Sequence, residues 1–176
     1  MRHLFMRRPD LANLPPLPDL PPGYTLRDYR STDLDSLSAM MRVAFEDEQW
    51  TSERLRNVLT EAPDVKRTFV VEYDGLPVAS ASARVLPEDH PGSGYVHWVA
   101  VAPEHRGQGL GYLVTLATLH EFRAMGLHDA VLETDDHRLT AIKIYQNLGF
   151  KPEYRHDGHI ERWAMVLANL LNAANL

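Results

Sequence analysis

The amino-acid sequence predicts one domain of the α/β (α+β) class, with a mixed central β-sheet of about seven strands flanked by about four helices. The chain has 176 residues, enough for a single hydrophobic core. Its hydrophobic content of 44% and charged content of 24% are ordinary for a globular protein. Segments with a two-residue apolar period alternate with helical segments in the order β-α-α-β-β-β-α-β-α-β-β. That order is typical of a sheet with helices on both faces.

Residues 1–23 are expected to form a leader ahead of the domain. Half of the chain's twelve prolines fall within residues 9–22. Proline fixes φ and lacks a backbone N–H, so this stretch should be extended. The preferred interpretation is a segment packed over the domain surface, and the alternative is a ligand for a proline-binding module. The domain itself is placed at residues 24–168, followed by a C-terminal tail at 169–176.

Capping signals locate the first two helices. Thr32, with Asp35 three residues later, is typical of a capping box. Thr51 begins a second helix, and Trp50 just before it and Leu55 within it are spaced as a hydrophobic staple. The elements predicted for this half are a strand at 24–29, helices at 32–45 and 51–62, and strands at 67–73, 76–86 and 95–101.

Turn residues mark the remaining boundaries. Asp74-Gly75 between two β-type runs indicates a hairpin. Gly126 and Gly149 each follow a helical pattern and are expected to end those helices. The elements predicted for this half are helices at 109–125 and 139–148 and strands at 130–134, 151–155 and 161–167.

Composition and charge exclude several kinds of functional site and partner. Without cysteine there is no disulfide, thiolate metal site or cysteine nucleophile, and the nine histidines form no H-E-x-x-H pattern, so no metal is assigned. The net charge of −6 argues against a nucleic-acid partner and is compatible with a cationic amine. No apolar stretch is long enough to span a membrane, and no signal peptide is recognisable. The expected location is cytoplasmic.

One stretch carries most of the functional information. A strand ending at Val101 leads into Arg106-Gly107-Gln108-Gly109-Leu110-Gly111 and then into a helix. Alternating glycines allow successive backbone N–H groups to point into one concavity, and the helix N-terminus adds further donors. This arrangement predicts an anion site suited to phosphates, whereas a tight turn without a ligand is the alternative. Neither a P-loop nor a dinucleotide-binding fingerprint matches the spacing.

Two longer blocks give the chain a family resemblance. The stretch VHWVAVAPEHRGQGLG (96–111) contains the R/Q-x-x-G-x-G/A pattern, and LETDDHRLTAIKIYQNLGF (132–150) ends in Tyr-x-x-x-Gly-Phe. Across about residues 24–167 the sequence resembles the GNAT superfamily of acetyl-CoA-dependent N-acetyltransferases. The resemblance implies that acetyl-CoA is the co-substrate. It also implies that the backbone of Val99, Ala100 and Val101 binds the pantetheine arm and thioester, and that the loop Arg106–Gly111 holds the pyrophosphate.

The resemblance also implies catalytic residues. Tyr145 lies where such enzymes often carry a tyrosine that protonates the departing thiolate, although it also belongs to an apolar helical stripe typical of a buried face. His97 occupies a position used for a base and, by strict alternation, shares a strand face with Val99 and Val101. A structural histidine is the alternative for His97. Rival bases, or an acidic lining for the acceptor, are Glu46, Asp47, Glu48 and Glu133.

The resulting functional hypothesis is an N-acetyltransferase that moves an acetyl group from acetyl-CoA to a primary amine of a small molecule. Because the chain has no cysteine to carry the acetyl group, direct attack in a ternary complex is the simplest mechanism. The alternatives are a protein N-terminal or lysine acetyltransferase and a non-catalytic coenzyme-A-binding module. Walls of the acceptor site are expected at 45–50 and 88–94. Asp136-His137-Arg138 stands where the family often has asparagine, so the sequence departs from the family pattern there. The family is also compatible with a homodimer.

Overall fold

The computed structural model describes residues 3–174, within which it has seven strands and five α-helices. The strands are β1 (Leu4–Arg8), β2 (Tyr24–Asp28), β3 (Val65–Tyr73), β4 (Leu76–Arg84), β5 (Ser93–Val101), β6 (Asp129–Thr134) and β7 (Lys151–Glu153). The helices are α1 (Leu34–Phe45), α2 (Ser52–Leu55), α3 (Leu110–Ala124), α4 (Leu139–Asn147) and α5 (Gly158–Ala174). A π-helical turn over Arg56–Thr60 extends α2. Among residues 3–174, none of the helices combines the length and apolar character needed to cross a membrane.

All seven strands form one mixed sheet in the order β2-β3-β4-β5-β6-β1-β7, which confirms the predicted fold class. Strands β5 and β6 are parallel, and the other neighbouring pairs are antiparallel. Parallel pairing joins only Ser93–Tyr95 to Asp129–Val131. Beyond Tyr95, β5 continues to Val101 without pairing to β6, so the two strands diverge and leave a cleft in the middle of the sheet.

Helices cover both faces of the sheet. One face packs α1 and α2 against β3 and β5, with a core that includes Leu37, Met41, Trp50, Leu55, Val70 and Ala100. The other face packs α3, α4 and α5, with a core that includes Leu4, Met6, Leu116, Phe122, Leu132, Ile142 and Trp163. Gly94 permits this close approach, since a Cβ at that position would overlap the ring of Phe122.

Strand β1 corrects the expectation that residues 1–23 all form a leader, although the domain limits at residues 24 and 168 stay predictions. Leu4–Arg8 lies inside the sheet between β6 and β7, with Leu4 and Met6 fully buried. Arg7 faces the opposite side, where it pairs with Asp129 and, at 2.7 Å, with Glu153. The alternation of buried and half-buried residues is that of a strand. The proline-rich residues that follow lie against α3, where the carbonyl oxygen of Pro15 is 2.8 Å from Nε2 of His120.

The final predicted strand, at 161–167, is wrong, because this segment belongs to helix α5. Trp163 and Val166 are buried and Leu170 is half-buried, at the i, i+3, i+7 spacing of a helix face. The place beside β6 that another strand could have filled is taken by β1. The segment packs as a helix over the sheet instead.

The local turn signals are mostly confirmed. Thr51 caps α2 by accepting a hydrogen bond from the backbone N–H of Arg54 at 3.1 Å. Asp74 (φ 49°) and Gly75 (φ 78°) form the predicted hairpin turn. The capping box at Thr32 is wrong: α1 begins after a 3₁₀ turn at Ser31–Asp33, whose Asp33 carboxylate accepts from the N–H of Arg30 at 2.7 Å.

Candidate active site

The divergence of β5 and β6 opens a cavity of about 190 Å³. Residues of both strands line it, together with Phe45 at the end of α1 and Arg138 and Tyr145 at α4. Among the predicted donor-binding residues, Val99 reaches this cavity. The cavity is therefore lined by one of the three strand residues at which the thioester is predicted to bind.

A β-bulge in β5 shapes this cleft. Ser80 pairs with Ala100 and Ser82 with His97, so Trp98 and Val99 together oppose the single residue Ala81. Trp98 has φ 49°, which is left-handed and unusual for a residue other than glycine. A bulge leaves its extra residue outside the regular ladder and turns the backbone. Backbone groups near Val99 can thereby face the cleft rather than β4.

The bulge overturns the prediction that His97 shares a face with Val99 and Val101. Val99 and Val101 pack with the α3 side of the sheet, whereas Trp98 packs with α1 and α2. The rings of His97 and Trp98 are 5.3 Å apart, and His97 also contacts Tyr95 at 5.8 Å. One inserted residue shifts the alternation, so His97 lies on the face opposite to the two valines.

The predicted anion loop has free donors. Gly107 (φ 81°) and Gly109 (φ 75°) are left-handed, and a Cβ at either would meet open space. Gly109 occupies the N-cap of α3 without a side-chain cap. Within residues 3–174, none of the six consecutive backbone N–H groups from Gly107 to Tyr112 donates a hydrogen bond. The loop, with exposed Arg106 beside it, presents donors and the positive end of a helix dipole.

Tyr145 projects from α4 into the cleft. It is only 7% exposed, and its ring packs edge-on against Phe150 with centroids 6.0 Å apart. Burial raises the pKa of the phenol to about 12, while the cation of Arg138 opposes that shift. Tyr145 is thus both a core residue and a cavity residue. Its hydroxyl stays protonated at neutral pH and can donate a hydrogen bond.

His97 lies in the cleft but is held in the neutral state. Burial, and then the charge of Arg84, lower its pKa to about 3, although Asp64 opposes the shift. Nη1 of Arg84 is 3.5 Å from Nε2 of His97. The buried Nδ1 of His97 has no hydrogen-bond partner within residues 3–174. A histidine in this setting is a poor acceptor of a proton from a substrate.

Glu133 is the carboxylate of β6 that lines the cavity. It lies beside Tyr95 of β5, whose pKa is raised by burial and then by the charge of Glu133 and its hydrogen bond to the phenol. None of the ion pairs found within residues 3–174 involves Glu133. A carboxylate in a cleft that has no ion-pair partner is suited to hold a cationic group and to accept a proton.

The acids that follow α1 lie away from the cavity. Glu46 is exposed, the Glu48 side chain is 93% exposed, and Asp47 pairs with Arg54 at 2.8 Å. The sequence predicted walls of the acceptor site at 45–50 and 88–94, and from these two segments Phe45 lines this cavity. Trp50 is a core residue instead, 1% exposed, and its ring packs against Trp98 at 4.7 Å.

Comparison with known proteins identifies the family. The model of the Acetyltransferase (GNAT) family matches residues 33–150, a range that contains the bulged strand, the glycine loop and Tyr145. The chain belongs to the GNAT acetyltransferase family. A mycothiol acetyltransferase from Thermobispora bispora is 36% identical over 155 residues, covering 82% of this chain and 52% of the relative. Another, from Thermomonospora curvata, is 36% identical over 157 residues, covering 84% and 50%.

The GNAT chain spans about half the length of these curated relatives. Solved structures share its fold. A GCN5-related N-acetyltransferase from Sphaerobacter thermophilus superposes with a TM-score of 0.67 at 19% identity, over 87% of this chain and 50% of that chain. The paia N-acetyltransferase of Thermoplasma acidophilum, solved in complex with coenzyme A, gives 0.64 at 14% identity, over 76% and 93%.

Some cavity residues of this GNAT chain escape prediction from sequence. His3, just ahead of β1, lines the cavity and lies 2.8 Å from Asp135. Arg138 also lines it and stacks over the ring of Phe45 at 5.0 Å. Asp136, in the region where the family often has asparagine, instead pairs with Arg162 of α5. Residues 4–8 (LFMRR) show alternation only in their burial, so the sequence gives at most a short apolar run at 4–6 as a signal for β1, and no local pattern links His3 to Asp135.

Proposed function

We propose that this protein is an acetyl-CoA-dependent N-acetyltransferase that moves an acetyl group to a primary amine of a small molecule by direct attack in a ternary complex. One observation carries the proposal: a bulged strand diverges from its parallel neighbour directly before a loop with six free backbone N–H groups. The family supports acyl transfer, and relatives named mycothiol acetyltransferase support a small-molecule acceptor. A homodimer and a cytoplasmic location stay predictions.

The donor would lie along β5 and the glycine loop. The backbone N–H groups of Gly107–Tyr112, with Arg106, would bind the pyrophosphate of coenzyme A. The pantetheine arm would follow Val101, Ala100 and Val99 back into the cleft. Ala100 faces the α1 core while Val99 and Val101 face α3, so these side chains remain packed and the backbone is left to bind the ligand.

The chemistry assigns a proton acceptor and a proton donor on opposite sides of the thioester. Glu133 takes one proton from the acceptor ammonium, and the nitrogen lone pair then forms the C–N bond with the acetyl carbon. Backbone N–H groups near Val99 stabilise the oxyanion. As the C–S bond breaks, Tyr145 donates a proton to the sulfur, and the second proton leaving the nitrogen restores the phenol through solvent.

In this scheme His97 does not act as the general base that the sequence suggested. Burial and then the neighbouring Arg84 cation both disfavour imidazolium, so His97 would not accumulate the proton. We assign it a role as a neutral residue that shapes the acceptor side of the cleft beside Trp98.

A free-thiol assay tests the proposal. Acetyl-CoA is supplied as donor to the intact chain with a panel of small primary amines and a panel of peptides. Thiol release with small amines is the expected result. Release with peptides alone would favour a protein N-terminal or lysine acetyltransferase. Calorimetric binding of coenzyme A without release on any acceptor would indicate a non-catalytic binding module.

A further inference from the structure

A second cavity adjoins the first on the sheet face away from α3. It has a volume of about 310 Å³ and shares Tyr95 and Glu133 with the cavity at the β5–β6 cleft. Leu132 packs with the α3 core, so alternation places Glu133 on the opposite face of β6. A molecule in this second cavity, here called the side cavity, would meet Glu133 at the point where the two spaces join.

Two arginines line the side cavity from different parts of the chain. Nε of Arg84 lies 2.5 Å from the Asp64 carboxylate, and Nε of Arg155 lies 2.8 Å from Glu153. Each carboxylate therefore holds one edge of a guanidinium, which fixes its plane. Because a guanidinium has five N–H donors in a rigid fork, the Nη groups retain donors for a further ligand.

Neighbouring aromatic rings support the two guanidiniums and the wall between them. The Arg155 guanidinium stacks over Phe5 at 4.0 Å, and His90, only 7% exposed, stacks on Tyr95 with centroids 5.7 Å apart. Fixed, partly buried cations lose little freedom on binding an anion. Asp89 also lines the side cavity, but it is exposed and its charge is screened by water.

We propose that the acceptor is a small aminocarboxylic acid that occupies the side cavity. Its ammonium group binds Glu133 at the junction with the cleft, and its carboxylate binds the Nη groups of Arg84 and Arg155. The inference rests on the proposed acetyltransferase function and specifies its substrate class. An amine without an acidic group would leave both guanidiniums facing the side cavity without a ligand, and so would bind more weakly.

The test compares free acids with their carboxamides. Glycine, β-alanine and γ-aminobutyrate, each beside its carboxamide, are assayed for thiol release from acetyl-CoA, and their binding to the coenzyme-A-saturated chain is measured by calorimetry. Phosphoethanolamine distinguishes a carboxylate site from a phosphate site. The variants are Arg84→Met and Arg155→Met, with Arg30→Met as control, since Arg30 is 64% exposed at the far edge of the sheet.

We expect the wild type to favour at least one free acid over its amide by about tenfold or more in kcat/KM and in affinity. Arg155→Met and Arg84→Met should reduce that ratio to near one, whereas Arg30→Met should keep it. A ratio within one variant is insensitive to a general loss of folded protein. Equal use of acids and amides by the wild type, or a preference for phosphoethanolamine, would overturn the inference.

The two proposals fail in different ways. Turnover of amides and acids alike contradicts the aminocarboxylate acceptor and leaves the acetyltransferase function standing. Binding of free acids through the two arginines, with no thiol release on any amine, contradicts the enzyme and supports the acidic-ligand site. Absence of both binding and turnover contradicts both.

Discussion

Nη1 of Arg84 lies 3.5 Å from Nε2 of His97, across the pairing of β4 with β5. Burial of the ring disfavours a positive charge on it, and the cation of Arg84 acts in the same direction. The pKa of His97 falls to about 3 as a result. The imidazole of His97, which the sequence suggested as a base, is therefore neutral at neutral pH.

Replacing His97 should change how stability depends on pH. The unfolded chain binds a proton at His97 below its ordinary pKa of 6.5, whereas the folded chain resists it until about pH 3. His97 therefore makes the free energy of unfolding fall as pH falls through that window. Urea unfolding of His97→Gln should show a flatter pH dependence there. Parallel curves for the wild type and His97→Gln would contradict the assignment.

Glu133→Gln should abolish proton acceptance while keeping the shape of the side chain. We expect kcat to fall by about 100-fold at neutral pH and to recover partly as pH rises, because the free amine becomes more populated. Glu48→Gln is the matched control, since Glu48 lies outside the cavity and is 93% exposed. Full activity of Glu133→Gln across the pH range would show that Glu133 is not the proton acceptor.

Tyr145→Phe should separate binding from chemistry. The phenol, with its pKa raised to about 12, stays protonated and can donate to sulfur, and phenylalanine cannot. The expected result is a drop of about 100-fold in kcat with coenzyme A affinity nearly unchanged, measured by thiol release and calorimetry. Tyr154→Phe is the control at an exposed tyrosine. An unchanged kcat would leave Tyr145 with a packing role alone.

Gly109→Ala should weaken coenzyme A binding beyond its effect on stability. Gly109 (φ 75°) and Gly126 (φ 76°) have the same left-handed backbone, and a Cβ at either would meet open space. Alanine at each should cost about 1 kcal/mol of stability. Only at Gly109 does the added methyl group lie in the predicted anion loop, so Gly126→Ala should keep wild-type affinity. Calorimetry that found equal losses of affinity would argue against this loop as the pyrophosphate site.

Met6→Ala tests the position of β1. Met6 is fully buried between β6 and β7, so its truncation should leave a cavity and cost about 2–5 kcal/mol in denaturant unfolding. Met165 on α5 is 59% exposed, and Met165→Ala should change stability by about 0.5 kcal/mol or less. Similar small effects for both variants would contradict the burial of residues 4–8 within the sheet.

The features that the sequence predicts well are the ones encoded within a short stretch. The Asp74-Gly75 turn, the Thr51 cap and the order of most strands and helices follow from local dihedral preferences and apolar periodicity. The glycine loop also belongs to this class, because its conformation depends on residues within one turn of the chain. Val99, Tyr145 and Glu133 can likewise be nominated as functional positions from the sequence alone, since each lies in or beside a recognisable motif.

Only the tertiary structure decides how distant segments share one sheet. Periodicity does not say which strands become neighbours. The sequence therefore predicts a leader where β1 lies, although β1 pairs between β6 and β7, and it predicts a strand within α5. A single extra residue at the Trp98 bulge moves His97 to the other face, and alternation alone cannot reveal it. Likewise, Arg84, Glu133 and Arg155 lie on separate segments of the chain. Long-range packing, rather than any local pattern, brings them around one cavity.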